Sequence, residues 1–156
     1  GLAFGMAVMA WSPNLSEERA AEVGVRRVDK ATLFAAADVI TLHLVLSERS
    51  RGIVGPEDIG RMKSTAYLVN TSRGPLVDEA ALLRALQTGA IAAAGLDVYD
   101  IEPLPAAHPL RALPNTVLTP HLGYVTEETY RTGFGDAVEN IIAWADGAPV
   151  RVLTDG

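Results

Sequence analysis

Cysteine is absent from the 156 residues. That one absence removes disulfide frameworks, Cys-ligated zinc, iron–sulfur clusters and thiol nucleophiles together. Basic residues are in deficit: thirteen Lys and Arg stand against nineteen Asp and Glu, a formal net charge of −6. A nucleic-acid binder needs a basic face to neutralise phosphates, so no nucleic-acid partner is expected. No apolar run reaches the roughly 18 residues that cross a bilayer, so no membrane partner is expected either. Gly1–Ala10 (GLAFGMAVMA) is apolar but has no basic stretch before it. A signal peptide is therefore not expected, and a cytoplasmic, reducing setting is the default. Internal repeats, low-complexity tracts and long linkers are missing too. Three histidines without helical HxxxH spacing make no metal site. What remains is a chain with 49% apolar and 21% charged residues, which places it among folded domains. Its length allows one domain and part of a second.

Short apolar runs alternate with helix-like stretches throughout. The expected strands are Ala7–Trp11, Val25–Val28, Val39–Leu46, Thr65–Asn70, Ile91–Tyr99 and Thr116–Thr119. Between them, Ser16, Asp29 and Asp78 can each cap a helix by accepting an N–H of the first turn. Gly24 and Gly89 can end two of these helices. Pro56 suits the first turn of another, running to about Met62. Leu82, Leu83 and Leu86 share one helix face and are expected in the core. Asp100–Pro114 holds four prolines and reads as loop. Thr126 can cap a long helix to about Ala145, with Gly147 and Pro149 stopping it. Apolar, mostly non-alternating strands with intervening crossovers predict an α/β chain with a parallel sheet covered on both faces.

In such sheets ligands bind beyond the carboxyl ends of the strands, so the residues there carry the information. They are Ser12, His43 within its strand, Thr71-Ser72-Arg73-Gly74, Asp97 with Glu102 five residues on, and Pro120-His121-Leu122-Gly123. A carboxylate beside an imidazole favours the imidazolium and fixes the ring, which makes a tunable acid/base. A guanidinium offers a planar fork that grips a carboxylate with two hydrogen bonds. The set suits a substrate with a carboxylate next to a carbonyl or hydroxyl carbon.

Three segments carry a family resemblance: Val69–Glu79 (VNTSRGPLVDE), Gly95–Pro103 (GLDVYDIEP) and Leu118–Gly123 (LTPHLG). In this order and spacing they resemble the D-isomer-specific 2-hydroxyacid dehydrogenases, and the likeness runs from about Gly5 to Leu153. The resemblance implies an NAD- or NADP-dependent oxidoreductase acting on small 2-oxo and D-2-hydroxy acids. It implies that Arg73 holds the substrate carboxylate and carbonyl, that His121 is the general acid/base, and that Glu102 pairs with His121 and keeps it protonated. Ser12, His43, Leu44, Thr71, Ser72, Arg73, Asp97, His121 and Gly123 match positions that line the cofactor. For Asp97 the two readings are a turn or cap and a contact to the nicotinamide amide. For His43 they are pocket lining and a satisfied core position.

The resemblance also implies a Rossmann-type doubly wound parallel sheet, and here the sequence departs from the family pattern. Its GxGxxG turn, whose glycines let the backbone approach a pyrophosphate at a helix N-terminus, does not occur. With strand order 3-2-1-4-5-6, the first, central strand would also be lacking between Ala7–Trp11 and Val39–Leu46. Residues 1–123 are then expected to be a partial dinucleotide-binding domain. Residues 124–156 would be a helix and tail returning to a substrate domain. The expected partner is the missing N-terminal half of the same enzyme, with a homodimer by family analogy and little activity from the fragment alone. Ser12 stands where NAD-specific members carry an acid, so NADP stays possible although NAD is favoured. Formate dehydrogenase is a poor runner-up, since that branch has Gln where Glu102 stands. A corepressor-like nucleotide-binding protein of this fold and an inert truncated remnant are the alternatives. Trp11 and Trp144 are expected to pack, Glu17, Glu18 and Arg19 to face solvent, and His108 to be exposed and inert.

Overall fold

The structure is a computed structural model that describes residues 1–153. It divides into one unit, Gly1–His121, and a second that begins at Leu122. The first unit runs β1 (Met9–Ala10), α1 (Glu17–Glu22), β2 (Arg26–Arg27), α2 (Lys30–Ala36), β3 (Val39–Leu42), α3 (Pro56–Arg61), β4 (Tyr67–Asn70), α4 (Glu79–Thr88), β5 (Ala93–Leu96) and β6 (Thr116–Leu118). Short 3-10 turns lie at Leu2–Phe4, Gly74–Leu76 and Pro109–Ala112. The third of these sits in the stretch expected to be irregular, where Pro109 supplies a preset φ at its first position.

The helix starts follow the side chains expected to cap them. Ser16 accepts from the Arg19 N–H, Asp29 from Thr32 and Asp78 from Ala81, each relieving one unpaired donor of a first turn. Asp58 turns back onto the Gly55 N–H at the start of α3 and also takes an ion pair from Lys30 of α2 at 2.7 Å. Gly89 ends α4 at φ 67°, a left-handed conformation that strains any residue with a β-carbon.

All six strands pair in parallel, but in two sheets, β1-β2 and β3-β4-β5-β6, rather than one. The break between β1 and β3 falls where the family resemblance implies a further, central strand. The strands are shorter than the apolar runs suggested, and the register gives the reason. Leu42, Asn70, Leu96 and Leu118 lie in one row across the sheet, and all four strands end there. Beyond that row each chain turns away and loses its partners. His43 therefore follows β3 and does not lie within it.

One face of the larger sheet is buried. Ile40, Leu42, Leu68, Ala94 and Leu96 join Phe34, Ile59, Leu76, Leu82, Leu86, Ile91 and Leu110 in one core under α2, α3 and α4. Leu83 packs at its margin. The other face departs from the expectation of two covered faces. Val39, Tyr67, Thr41 and Val117 are exposed there, and Ala93, Val69 and Gly95 only half-buried. The strands thus alternate in burial as a one-sided sheet does.

In the second unit, Thr126 caps α5 (Glu127–Ala145) through its hydroxyl. Tyr130 and Phe134 stack with ring centres 5.7 Å apart, and Arg151 folds back onto Asp136 and Glu139. No residue of α5 is buried, so Trp144 is 75% exposed instead of packed, because nothing in its own unit covers the helix. Trp11 is half-buried, with the Lys30 ammonium 5.5 Å from its ring centre. Glu17, Glu18 and Arg19 are exposed as expected. Among the described residues no helix is long and apolar enough to cross a membrane.

The one-sided burial makes a direct prediction. Leu68, with 0% exposure, should lose about 2–5 kcal/mol of stability as Leu68→Ala, the size of a buried cavity. Val117→Thr, on the open face at 70% exposure, should shift stability by no more than about 0.5 kcal/mol. Urea unfolding of the two variants would reverse this order if the other face were the core.

Candidate active site

The common strand-end row places His43, Thr71, Asp97 and Thr119 side by side, one after each strand. The loop after β4 is built from within. Asn70 is buried, donates from Nδ2 to the Arg73 carbonyl at 2.8 Å and accepts the Ser72 N–H at 3.1 Å. Ser72 Oγ donates to the Leu42 carbonyl at 2.9 Å, which ties this loop to the end of β3. Arg73 is exposed, with Nη1 donating to the Ser72 carbonyl at 2.6 Å.

Gly74 then passes so close to the backbone of Tyr99 and Asp100 that an added β-carbon would lie 2.1 Å from the Tyr99 carbonyl carbon. Only glycine fits there, and the contact seats the Arg73 loop against the segment that leads to Glu102.

Glu102 and His121 form the centre of the arrangement. His121 Nδ1 lies 2.6 Å from Glu102 Oε2, and the other carboxylate oxygen accepts the Tyr99 N–H at 2.9 Å. Both side chains are about one-third exposed, open enough to reach a ligand. Burial pushes the Glu102 carboxyl up. The hydrogen bonds from His121 and Tyr99, with the charges of His121 and Arg73, outweigh that and set it below the ordinary carboxylate range. His121 also holds a left-handed backbone, φ 54°, which a residue with a β-carbon takes only under constraint. Thr119, two residues earlier, supplies part of it. Its carbonyl lies 2.8 Å from the Tyr99 hydroxyl and its hydroxyl donates to Asp97 Oδ1 at 2.5 Å. Burial and the Asp97 charge raise the Tyr99 phenol.

The structure therefore joins Glu102 and His121 directly and brings the charge of Arg73 to bear on Glu102. Asp97 is only 5% exposed and holds Thr119. His43 is exposed, with Nε2 3.0 Å from Thr41 Oγ1, so it is not a core histidine. Thr71 is exposed, whereas Leu44 packs against the core. Ser12 is half-buried in the turn after β1, where its carbonyl accepts the Leu15 N–H. Gly123 belongs to the second unit. His108 departs from its expected inert exposure: it is half-buried and 3.1 Å from Glu79 Oε1, a partner 29 positions away that no local pattern signals.

A family model described as D-isomer specific 2-hydroxyacid dehydrogenase, NAD binding domain, matches residues 2–123. The chain is 44% identical over 144 residues to glyoxylate/hydroxypyruvate reductase B of Yersinia enterocolitica, a match that covers 92% of this chain and 44% of that protein. It resembles the crystal structure of phosphoglycerate oxidoreductase from Vibrio cholerae with a TM-score of 0.88 at 42% identity, over 94% of this chain and 47% of that one. D-lactate dehydrogenase with NAD+ from Lactobacillus jensenii gives 0.80 at 32% identity, over 99% and 50%. The chain thus spans about half the length of these relatives or less.

Two outcomes follow from this geometry. Gly74→Ala should destabilise the fold more than an exposed Gly→Ala change, because the collision is with backbone and cannot be relieved by a rotamer. Thermal melting against Gly60→Ala, where a β-carbon meets open space, is the comparison. The lowered carboxyl of Glu102 is a stability contribution that is complete above the ordinary carboxylate pKa and is lost as pH falls through its folded value. The melting-temperature gap between wild type and Glu102→Gln should therefore be widest near neutral pH and close on acidification. A gap that holds constant into acid would contradict the ionised pairing.

Proposed function

The chain belongs to the D-isomer specific 2-hydroxyacid dehydrogenase family, and from that premise we propose that it is the cofactor-binding and proton-transferring part of an enzyme interconverting 2-oxo acids and D-2-hydroxy acids. The single observation that carries the reading is the 2.6 Å His121–Glu102 pair, on whose carboxylate the Arg73 charge also acts. In this reading residues 1–123 bind a nicotinamide cofactor, and residues from 124 onward lead back toward a substrate domain.

The donor set at the strand ends fits the nicotinamide end of such a cofactor. Thr71 and His43 are exposed and neutral or weakly basic, and Asp97 stands at the adjacent strand end. Ser12, Leu44 and Ser72 complete the proposed lining. When bound, the nicotinamide supplies or accepts the hydride. NAD is the cofactor proposed. A 2′-phosphate would need a free cation near Ser12. Of the two arginines of β2, Arg27 is committed to the Leu15 carbonyl at 2.6 Å and to Glu17 at 3.2 Å, and Arg26 donates to the Met9 sulfur at 2.9 Å.

The side chains divide the remaining work. The Arg73 guanidinium grips the substrate carboxylate and polarises the 2-carbonyl, because its fork matches both oxygens. In reduction, His121 donates a proton to the carbonyl oxygen as hydride reaches the 2-carbon, and in oxidation it takes the proton back. Glu102 accepts from Nδ1, so the proton to be transferred sits on Nε2, and the ionised carboxylate favours the imidazolium.

The test is the pH dependence of 2-oxo acid reduction in the catalytically competent protein. Glu102→Gln should move the falling limb to lower pH, since the ring gives up its proton more readily without the anion. His121→Ala should lower kcat by about two to four orders of magnitude. A falling limb that stays in place, or turnover that survives in His121→Ala, would refute the assignment.

A further inference from the structure

The first unit contains a second histidine–glutamate pair, His108–Glu79, which the proposed chemistry does not use. The Leu110 N–H donates to His108 Nδ1 at 3.3 Å, so the lone pair lies there and the ring proton lies on Nε2. That nitrogen faces Glu79 Oε1 at 3.1 Å. Both side chains are largely withdrawn from solvent, at 18% and 27% exposure, which makes the bond worth more than a surface pair.

Its place in the chain is what matters. Glu79 opens α4 and follows Arg73 closely, through the Gly74–Leu76 turn and the Asp78 cap. His108 opens the Pro109–Ala112 turn, and this turn is fastened to the residues just after Glu102. Arg111 donates to the Leu104 carbonyl at 2.8 Å and to the Pro105 carbonyl at 3.0 Å, and the His108 N–H also donates to Pro105. A continuous set of bonds thus runs from the element behind Arg73, across Glu79 and His108, to the segment that carries Glu102. Leu104 and Leu110, both buried, anchor the same loop in the core.

We propose that His108 and Glu79 are positioning residues that hold the Glu102 loop against the Arg73 element, and so set Glu102 on His121. This rests on the reading of Glu102 as the partner of His121. Neither residue touches the reacting atoms. Without the bond the loop keeps its buried leucines but gains freedom at Glu102, and the carboxylate spends less time on the imidazole.

The variants separate the two bonds of His108. His108→Asn can still cap the Leu110 N–H with a side-chain oxygen but cannot reach Glu79. His108→Gln restores a nitrogen donor toward Glu79, and Glu79→Ala removes the acceptor from the other side. The primary readout is the titration of the His121 ring signals by NMR, which does not depend on turnover. The expected result is that His108→Asn and Glu79→Ala both move that titration to lower pH, in the direction of Glu102→Gln and by less. The double variant should do no more than either single change, and His108→Gln should recover part of the shift. In the active protein, each single variant should lower kcat by about fivefold, the size of one ordinary hydrogen bond, with KM for the cofactor unchanged. If Glu102→Gln moves the His121 titration and neither His108→Asn nor Glu79→Ala does, the positioning role is wrong and the site reading survives. If Glu102→Gln leaves it unmoved, the site reading fails and the positioning role fails with it.

Discussion

Where Gly74 lies against Tyr99 and Asp100 there is no space for even one more carbon, and the site is organised around that contact. The loop after β4 and the segment after β5 are brought to van der Waals distance by backbone alone, so neither depends on a flexible side chain for its position. Tyr99 then acts in three directions. Its carbonyl meets Gly74, its N–H holds Glu102, and its hydroxyl reaches the Thr119 carbonyl two residues before His121. Three segments far apart in sequence are thereby fastened to one residue whose ring is buried in the core. The left-handed backbone of His121 is maintained at the end of this set, with its ring held by the Glu102 carboxylate.

The electrostatics follow from the same frame. A carboxylate withdrawn from water is ordinarily harder to ionise, and burial does push Glu102 that way. Two hydrogen bonds and the charges of His121 and Arg73 reverse the sign, so the carboxyl is held as an anion. Asp97 is more deeply buried and accepts the Thr119 hydroxyl. The two carboxylates differ because one lies at the open rim and the other beneath it. The sheet below is equally divided, with one face packed under three helices and the other open to solvent, and it ends in a single row from which all these loops depart.

Much of this was legible in the residues. Capping by Ser16, Asp29, Asp78 and Thr126 is a local hydrogen bond between near neighbours, so a short stretch of sequence suffices to see it. Glu102 and His121 could be paired because their motifs mark them. His108 could not, because its partner Glu79 belongs to another element and neither residue stands out among ordinary surface charges. Apolar runs overstate the strand lengths for a related reason. Apolar runs such as Val39–Leu46 continue past the point where their neighbours stop, and only the register between strands shows where pairing ends. Trp144 was expected to pack because it is large and apolar, yet burial depends on what covers a helix.

By itself the sequence determined the order of strands and helices, their parallel pairing, the family, and the residue types that could do acid–base work. The elements depend on composition, short-range spacing and local hydrogen bonds, and the family is carried by the resemblance of three short motifs. Tertiary structure alone decided that the strands form two sheets, that one face of the larger sheet stays open, and that Glu102 lies 2.6 Å from His121 while His108 takes Glu79. Those outcomes depend on distances between residues that the chain separates by 19 or 29 positions, and such distances exist only in the folded chain.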